Sequence, residues 1–244
     1  LCLALNCNIS KKLIFSRKSY FYSDLAKNYQ ITQYEEPLGR DGTIELDKKK
    51  VGIIRAHLEE DPASITYPGP IASSKYVLVD YNRSGNPLIE VVTAPELYSA
   101  AEAREFMNTL ISVLSYLDVF DIQTCLIRAD ANISIKRTGY VRVEVKNITG
   151  FKEIERALNY EISRQQATDV VQETRSWDAE KGLTTTLRQK ESEEDYGYII
   201  EPNLVPVEIT KSMLSEIRKS MPEPAVDKVK RYVKLKISKV DAKI

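Results

Sequence analysis

Residues 127–147, IRADANISIKRTGYVRVEVKN, constrain the fold more than any other stretch. Ala129, Ala131, Ile133 and Ile135 alternate with Arg128, Asp130, Asn132 and Ser134, and Val141, Val143 and Val145 alternate with Arg142, Glu144 and Lys146. A period of two sends successive side chains to opposite faces of a strand. The stretch therefore predicts two paired strands with one apolar face, which other elements must cover, and one face carrying charges of both signs.

Helices to cover such a face are present. Ser99 and Glu102 form an S-x-x-E capping box, in which each side chain satisfies an orphan backbone N–H. Behind it Ala103, Phe106, Met107, Leu110, Ile111, Leu114 and Leu117 recur at helical spacing, which marks a core-facing stripe rather than a cofactor site. A second helix is predicted from about Lys152 to Gln166, with Ile154, Ala157, Leu158 and Ile162 on its inner face. Thr210 caps a third that carries Met213, Leu214 and Ile217 and is stopped by Pro222 and Pro224.

The rest reads as strands and turns. SRKSYFYSD and NYQITQYEEPLG are extended; DGTIELDKKKVGIIRAHLEED is a hairpin with the Lys48–Lys50 run at its tip; QETRSWD and LTTTLRQ form another. The Pro-, Gly- and Ser-rich residues 62–75 are a loop. EEDYGYIIEPNLVPVEI is extended and punctuated by prolines, and the basic end AVDKVKRYVKLKISKVDAKI reads as an edge or a lead into a further region. Hairpins interleaved with two long helices predict an α+β fold with a largely antiparallel sheet.

Composition narrows the function classes. Over 244 residues, Lys+Arg and Asp+Glu are 35 each, which argues against binding nucleic acid through bulk charge but leaves room for a local basic patch. With 43% hydrophobic and 29% charged residues a packed core is expected. No stretch approaches the roughly 18 apolar residues of a membrane-spanning helix, and LCLALNCNIS lacks the basic start of a signal peptide. Cys2, Cys7 and Cys125 are odd in number and widely spread, as suits a reducing compartment. With His57 the single histidine, a transition-metal site is not expected; a metal here would be Mg²⁺, held by carboxylates and phosphate oxygens.

The carboxylates that could do so lie on strands. In VGIIRAHLEED, parity puts Ile54, Ala56 and Leu58 on one face and Arg55, His57 and Glu59 on the other, with Glu60 on the apolar side unless the strand ends there. In PLIEVV, Glu90 is the one charge in an apolar run, costly if buried unless paired or metal-bound. Glu59 or Glu60, Glu90, Asp130 and Glu144, each with Arg55, Arg128, Asn132 or Lys146 close by, are what Mg²⁺ plus a polyphosphate requires. The competing reading is a solvated face with cross-strand ion pairs of a few tenths of a kcal/mol each. There is no P-loop or kinase-type glycine loop, so any ATP site uses another fold.

FSRKSYFYSDLAKNYQITQ, RAHLEED, VDYNRSGNPLIEVV, RADANISI, VEVKNITGF and QETRSWD resemble, in order, motifs of the B subunit of the aspartyl/glutamyl-tRNA amidotransferase (the GatB family). The resemblance runs from about residue 3 to about 235. It implies a sheet cradle like that of glutamine synthetase. It also implies an ATP- and Mg²⁺-dependent ligase that activates the side-chain carboxylate of misacylated Glu-tRNA(Gln), or Asp-tRNA(Asn), as an acyl phosphate. Ammonia released from glutamine by an amidase A subunit, in a heterotrimer with a small third subunit, would then displace phosphate.

By motif position, Glu59 and Glu90 fall on the Mg²⁺ carboxylates, with Glu60 beside them, and Asp130 on the acidic position of Arg-x-Asp-Ala-Asn. Lys18, Tyr20 and Lys27 fall on the ammonia tunnel; Arg128, Lys146, Arg175 and Arg188 become candidates for phosphate or substrate-carboxylate contacts. Glu60, Asp130, Arg128 and Lys146 are taken as the catalytic set, and Arg55, Asn132, Arg175 and Arg188 as the ATP- or substrate-binding set.

The resemblance also implies residues outside this chain: an N-terminal strand with a Glu-x-His pair, an early cysteine cluster, and tRNA-binding domains after it. Residues 1–225 are therefore expected to be the catalytic cradle and 226–244 the start of the helical, tRNA-binding region. Gly197 and Asn203 replace an Arg and an Asp common in the family. Together with the cysteines they lead to the expectation of a mitochondrial matrix member, the alternatives being bacterial cytoplasm or plastid. Two other function classes stay open. A non-catalytic tRNA-docking module would show salt-dependent RNA binding without nucleotide or Mg²⁺ dependence; a small-molecule ammonia ligase of the glutamine synthetase type would have no tRNA-binding domain.

Overall fold

The computed structural model describes residues 1–69, 74–121, 123, 125, 127–189, 196–238 and 241–243, with the side chains of 188, 189 and 243 left aside. In chain order the strands are β1 (Asn8–Ile9), β2 (Lys12–Leu13), β3 (Ser16–Ser19), β4 (Tyr29–Thr32), β5 (Gly39–Glu45), β6 (Lys50–Glu60), β7 (Ser64–Thr66), β8 (Leu78–Asp80) and β9 (Pro87–Thr93). Helix α1 (Ala100–Tyr116), β10 (Arg128–Ile133), β11 (Val143–Thr149), α2 (Phe151–Ala167), β12 (Glu173–Asp178) and β13 (Leu183–Gln189) follow. The chain continues through β14 (Gly197–Ile200), β15 (Val207–Glu208), α3 (Lys211–Ser220) and α4 (Ala225–Lys234).

The fold is α+β. One four-stranded sheet has the order β1-β5-β6-β9 and a second the order β10-β11-β12-β13; β14-β3-β4 form a third, with two small two-stranded ribbons. Pairing is antiparallel except between β11 and β12, which run parallel across the α2 crossover, the connection a parallel pair requires.

The hairpin of 127–147 forms as its alternation predicts. Asn132 stands opposite Glu144 and Ala131 opposite Val145, and Val143, Val145 and Ile148 are fully buried. Each such side chain contributes about 1.5–3 kcal/mol on burial. They join one continuous core with Ile53 and Val51 of β6, Phe106, Met107 and Leu110 of α1, and Ile154, Ala157 and Leu158 of α2. Helices α1 and α2 pack on each other, α1 also touching β5 and α2 the second sheet. The apolar faces of both sheets are thus closed by one helical layer; on the second sheet the covered face also carries Glu173 and Arg175 of β12, in register with Val143 and Val145.

Helix α1 starts where the capping box places it. Ser99 Oγ accepts from the Glu102 N–H at 3.1 Å, while Glu102 accepts from the Tyr98 N–H at 2.8 Å.

Several expectations are corrected. Ile54 is 47% exposed instead of lying with Ala56, because a bulge between Ile53 and Arg55 switches the parity of β6. On α2 the fully buried positions include Glu161 and Gln165, whereas Ile162 is half-buried. The basic end forms α4, whose Lys228 Nζ donates to the Tyr116 hydroxyl of α1 at 2.9 Å. Its start suits the fixed backbone of Pro224, at φ −55°.

Candidate functional site

The β6–β9 pairing builds the first wall. His57 stands directly opposite Glu90, and Glu59 is two residues along β6 on the same face. Ligand atoms of His57, Glu59 and Glu90 all lie within 4.8 Å of one another. His57 Nε2 is 3.3 Å from Glu59 Oε1. Nδ1 of His57 is buried and, among the described residues, has no hydrogen-bond partner.

The third sheet holds Glu59 from beside. Thr32 Oγ1 donates to Glu59 Oε1 at 2.7 Å, and Gln30 Nε2 donates to Oε2 at 3.3 Å. Burial pushes Glu59 up, but the bonds from His57 and Thr32 and the charge of Lys18 outweigh it and hold the carboxylate below its ordinary range. Glu90 is more open, with Arg55 Nη2 at 3.5 Å. An imidazole and two carboxylates, one held ionised, are a donor set for a divalent cation, the carboxylates suiting Mg²⁺.

The second wall comes from the hairpin. Two residues of β11, Lys146 and Asn147, oppose the single Asp130 of β10, a bulge in which Asn147 takes φ +63°. Lys146 Nζ lies 3.8 Å from Asp130 Oδ2. Burial raises the Asp130 carboxyl; Lys146 opposes this, and the carboxylates of Glu144 and Glu90 raise it further. Glu144 is oriented by Thr174 Oγ1, which donates to it at 3.1 Å. Asn132 is exposed opposite Glu144.

Other expected residues are placed elsewhere. Glu60 turns away from the cluster, as strand parity requires: it accepts from Lys27 Nζ at 2.7 Å and from the Ile31 N–H at 3.0 Å. Glu60 and Lys27 line a small cavity of about 180 Å³ with Leu25, Tyr29 and Pro62. Lys18 lies over the Tyr196 ring at 4.8 Å, and Tyr20 meets Tyr196 edge-on at 5.3 Å.

Arg175 is not available to a ligand. It is buried and donates to Thr184 Oγ1, Thr184 O, Glu173 Oε1 and Thr186 Oγ1 at 2.7–3.0 Å. Three residues take four of its five N–H donors and tie β12 to β13, and Glu161 of α2 lies 3.7 Å from its Nε. The Arg188 side chain lies outside the described residues.

The chain matches a model described as the GatB/GatE catalytic domain over residues 1–215. The chain belongs to this family. The B subunit of the aspartyl/glutamyl-tRNA(Asn/Gln) amidotransferase of Saccharolobus solfataricus is 50% identical over 244 residues, covering 95% of this chain and 51% of that protein. Its namesakes from Thermotoga maritima and Carboxydothermus hydrogenoformans are 44% and 41% identical, over 99% and 95% of this chain and 54% and 51% of theirs. The chain thus spans about half the length of these relatives. They are bacterial and archaeal and lend no support to the expectation of a mitochondrial member.

Within this GatB/GatE domain, sequence reasoning passed over His57, Gln30 and Thr32 as parts of the site. The parity of β6 already groups His57 with Glu59. What it lacks is the register that sets Glu90 opposite His57, and the contact of β4 with β6 that brings Gln30 and Thr32 to Glu59.

Proposed function

We propose that this chain is the catalytic part of the B subunit of a glutamine-dependent tRNA amidotransferase, a carbon–nitrogen ligase. In this reading it activates the side-chain carboxylate of misacylated Glu-tRNA(Gln) or Asp-tRNA(Asn) with ATP and Mg²⁺. The observation that carries the reading is the His57–Glu59–Glu90 cluster, with the Asp130–Lys146 pair on the polar face of the second sheet, in a chain of the GatB/GatE catalytic family.

His57, Glu59 and Glu90 would hold the divalent cation, which when bound neutralises phosphoryl oxygens. Gln30 and Thr32 fix the Glu59 carboxylate before any ligand arrives. Arg55, Arg128 and Lys146 supply positive charge for the phosphoryl and carboxylate oxygens, with Asn132 beside them as an amide donor. A substrate carboxylate oxygen takes the terminal phosphoryl group as its bond to the ADP oxygen breaks. Ammonia then attacks the acyl carbon and phosphate leaves with the C–O electrons. Asp130, whose proton affinity is raised, accepts the proton that the new amide sheds. Glu60 and Arg175 are not part of this set.

Ammonia from a partner amidase, in a heterotrimer with a small third subunit, would arrive past Lys18, Tyr20 and Lys27, the last lining the small cavity. Residues 1–225 would form the cradle, with 226–244 opening the tRNA-binding region. The bacterial and archaeal relatives favour a cytoplasmic enzyme over the mitochondrial matrix; no helix among the described residues is long and apolar enough to cross a membrane.

The test uses the full-length protein assembled with its amidase partner. Glu90→Gln is expected to abolish phosphorylation of Glu-tRNA while glutamine hydrolysis stays measurable; unchanged transamidation would overturn the assignment.

A further inference from the structure

The third sheet carries a lysine held by rings instead of by an acid. Among the described residues Lys18, half-buried on β3, makes no hydrogen bond and no ion pair. Its Nζ lies 4.8 Å from the centroid of the Tyr196 ring and 5.9 Å from that of Tyr20. The two rings meet edge-on at 5.3 Å. Strand pairing brings them together: Gly197 of β14 stands opposite Ser19 of β3, so Tyr196, one residue before, falls beside Tyr20, one residue after. Tyr198 lies 6.5 Å from Tyr196 and is itself stacked on Tyr34 at 3.8 Å, so a second pair of rings braces the first.

This seat adjoins the carboxylate cluster. Lys18 stands directly opposite Gln30 of β4, and Gln30 Nε2 donates to Glu59 Oε2 at 3.3 Å. Directly opposed residues share a face, and neighbouring strands are about 4.8 Å apart. An ammonium over ring faces keeps its charge, because the negative face of each ring replaces part of the water it has lost. It has three N–H donors and no acceptor. A ligand that suits it offers a lone pair and carries no positive charge. Ammonia meets both conditions; the ammonium ion meets neither. A neutral lone pair is also what attacks an acyl carbon.

We propose that Tyr196 is a positioning residue: with Tyr20 it seats the Lys18 ammonium so that its N–H donors take the lone pair of incoming ammonia and turn the ammonium ion away. This rests on the ligase reading above, in which ammonia arrives past Lys18. It adds a residue outside the expected set and a reason for a lysine at this position.

The experiment uses the full-length protein assembled with its amidase partner and measures amide formed on the tRNA per glutamine hydrolysed. A cation–π contact at a half-buried site is worth about three- to tenfold in occupancy. Lys18→Met and Tyr196→Leu are each expected to lower the ratio about threefold or more while glutamine hydrolysis itself continues. The double variant is expected to fall no further than Lys18→Met, because the ring acts only through the lysine. Tyr196→Phe, which keeps the ring, is expected to recover most of the ratio. Binding of ATP with Mg²⁺, measured in parallel, is expected to be the same in Lys18→Met as in wild type; nucleotide binding weakened about tenfold would make Lys18 a phosphate contact and overturn the proposal. A wild-type ratio in Tyr196→Leu, a Phe variant as impaired as the Leu variant, or a double variant that falls by the product of the single effects overturns the seat while the ligase reading stands. If Lys18→Met keeps the wild-type ratio, ammonia does not pass Lys18 and the seat falls with that passage. If wild type forms no amide, the ligase reading itself falls.

Discussion

His57 and Glu90 stand directly opposite each other on β6 and β9, and both reach toward the Glu59 carboxylate. In an antiparallel pair, directly opposed residues share a face and sit within about 5.5 Å at Cβ. A donor set that is scattered in sequence becomes a single site through this pairing.

The first prediction follows from it. His57→Asn and Glu59→Gln are each expected to weaken Mn²⁺ binding, used as a probe of the divalent site, by at least about tenfold. Titration calorimetry of the folded variants is the check. Thr32→Val, which removes the bond that orients Glu59, is expected to have a smaller effect in the same direction. Equal affinity in all three would remove the metal assignment.

The second concerns the interior ion pairs. Glu161 is fully buried, accepting from Arg164 Nε at 2.9 Å and Thr184 Oγ1 at 2.9 Å, with Arg175 Nε 3.7 Å away. Glu173 completes the set, 3.0 Å from Arg175 and 3.1 Å from Arg164. Two cations and two carboxylates balance. Glu161→Gln leaves two guanidiniums on one carboxylate and is expected to cost about 3–5 kcal/mol, read from urea unfolding. Glu161→Leu with Arg175→Leu is expected to cost clearly less than the sum of the single changes, because neither partner is then left buried and unpaired.

The third is local. Ser99→Ala removes the cap of α1 and is expected to lower stability by about 1 kcal/mol. Since α1 packs on both β5 and α2 in the central core, the loss should appear in the global thermal transition as a fall of about 2–4 °C rather than as local fraying.

What could be foreseen divides along the same line. The alternation around Val143 and Val145, the stripe from Ala103 to Leu114 and the cap at Ser99 are properties of neighbours in sequence, and each forms as expected. The bulges beside Ile54 and Asp130 are not, because a bulge is a property of two paired strands. Nor is the burial of Glu161. On the helix it is one more polar residue, and only the parallel docking of β12 brings Arg175 against it. The same reason explains why Arg175 looked like a ligand contact: a strand arginine on a polar face reads alike whether solvent or another element covers it. Glu60 differs from Glu59 by one residue, and that single step of the strand sends it to Lys27 rather than to Glu90.

The last prediction is a pH dependence. Glu201 is buried and bridges Arg17 of β3, Oε2 to Nε at 2.7 Å and Oε1 to Nη2 at 3.0 Å, and accepts from the Asn203 N–H at 2.9 Å. The Arg17 bond holds its carboxyl below the ordinary range, with burial opposing and the Asn203 N–H helping. The folded protein therefore binds this proton less readily than the unfolded chain. Its contribution is fully present above the ordinary glutamate value of about 4.3 and is lost as pH falls through the lower folded value. Other carboxylates, Glu153 and Glu102 among them, are lowered too, so wild type alone cannot isolate the effect. The difference in thermal midpoint between wild type and Glu201→Gln can. It is expected to be largest near pH 7 and to shrink steadily below about pH 4. Arg17→Met should produce the same convergence, since it removes the other half of the pair. A difference that stayed constant from pH 7 to pH 3 would mean that the bridge between β3 and the end of β14 contributes through packing rather than through charge.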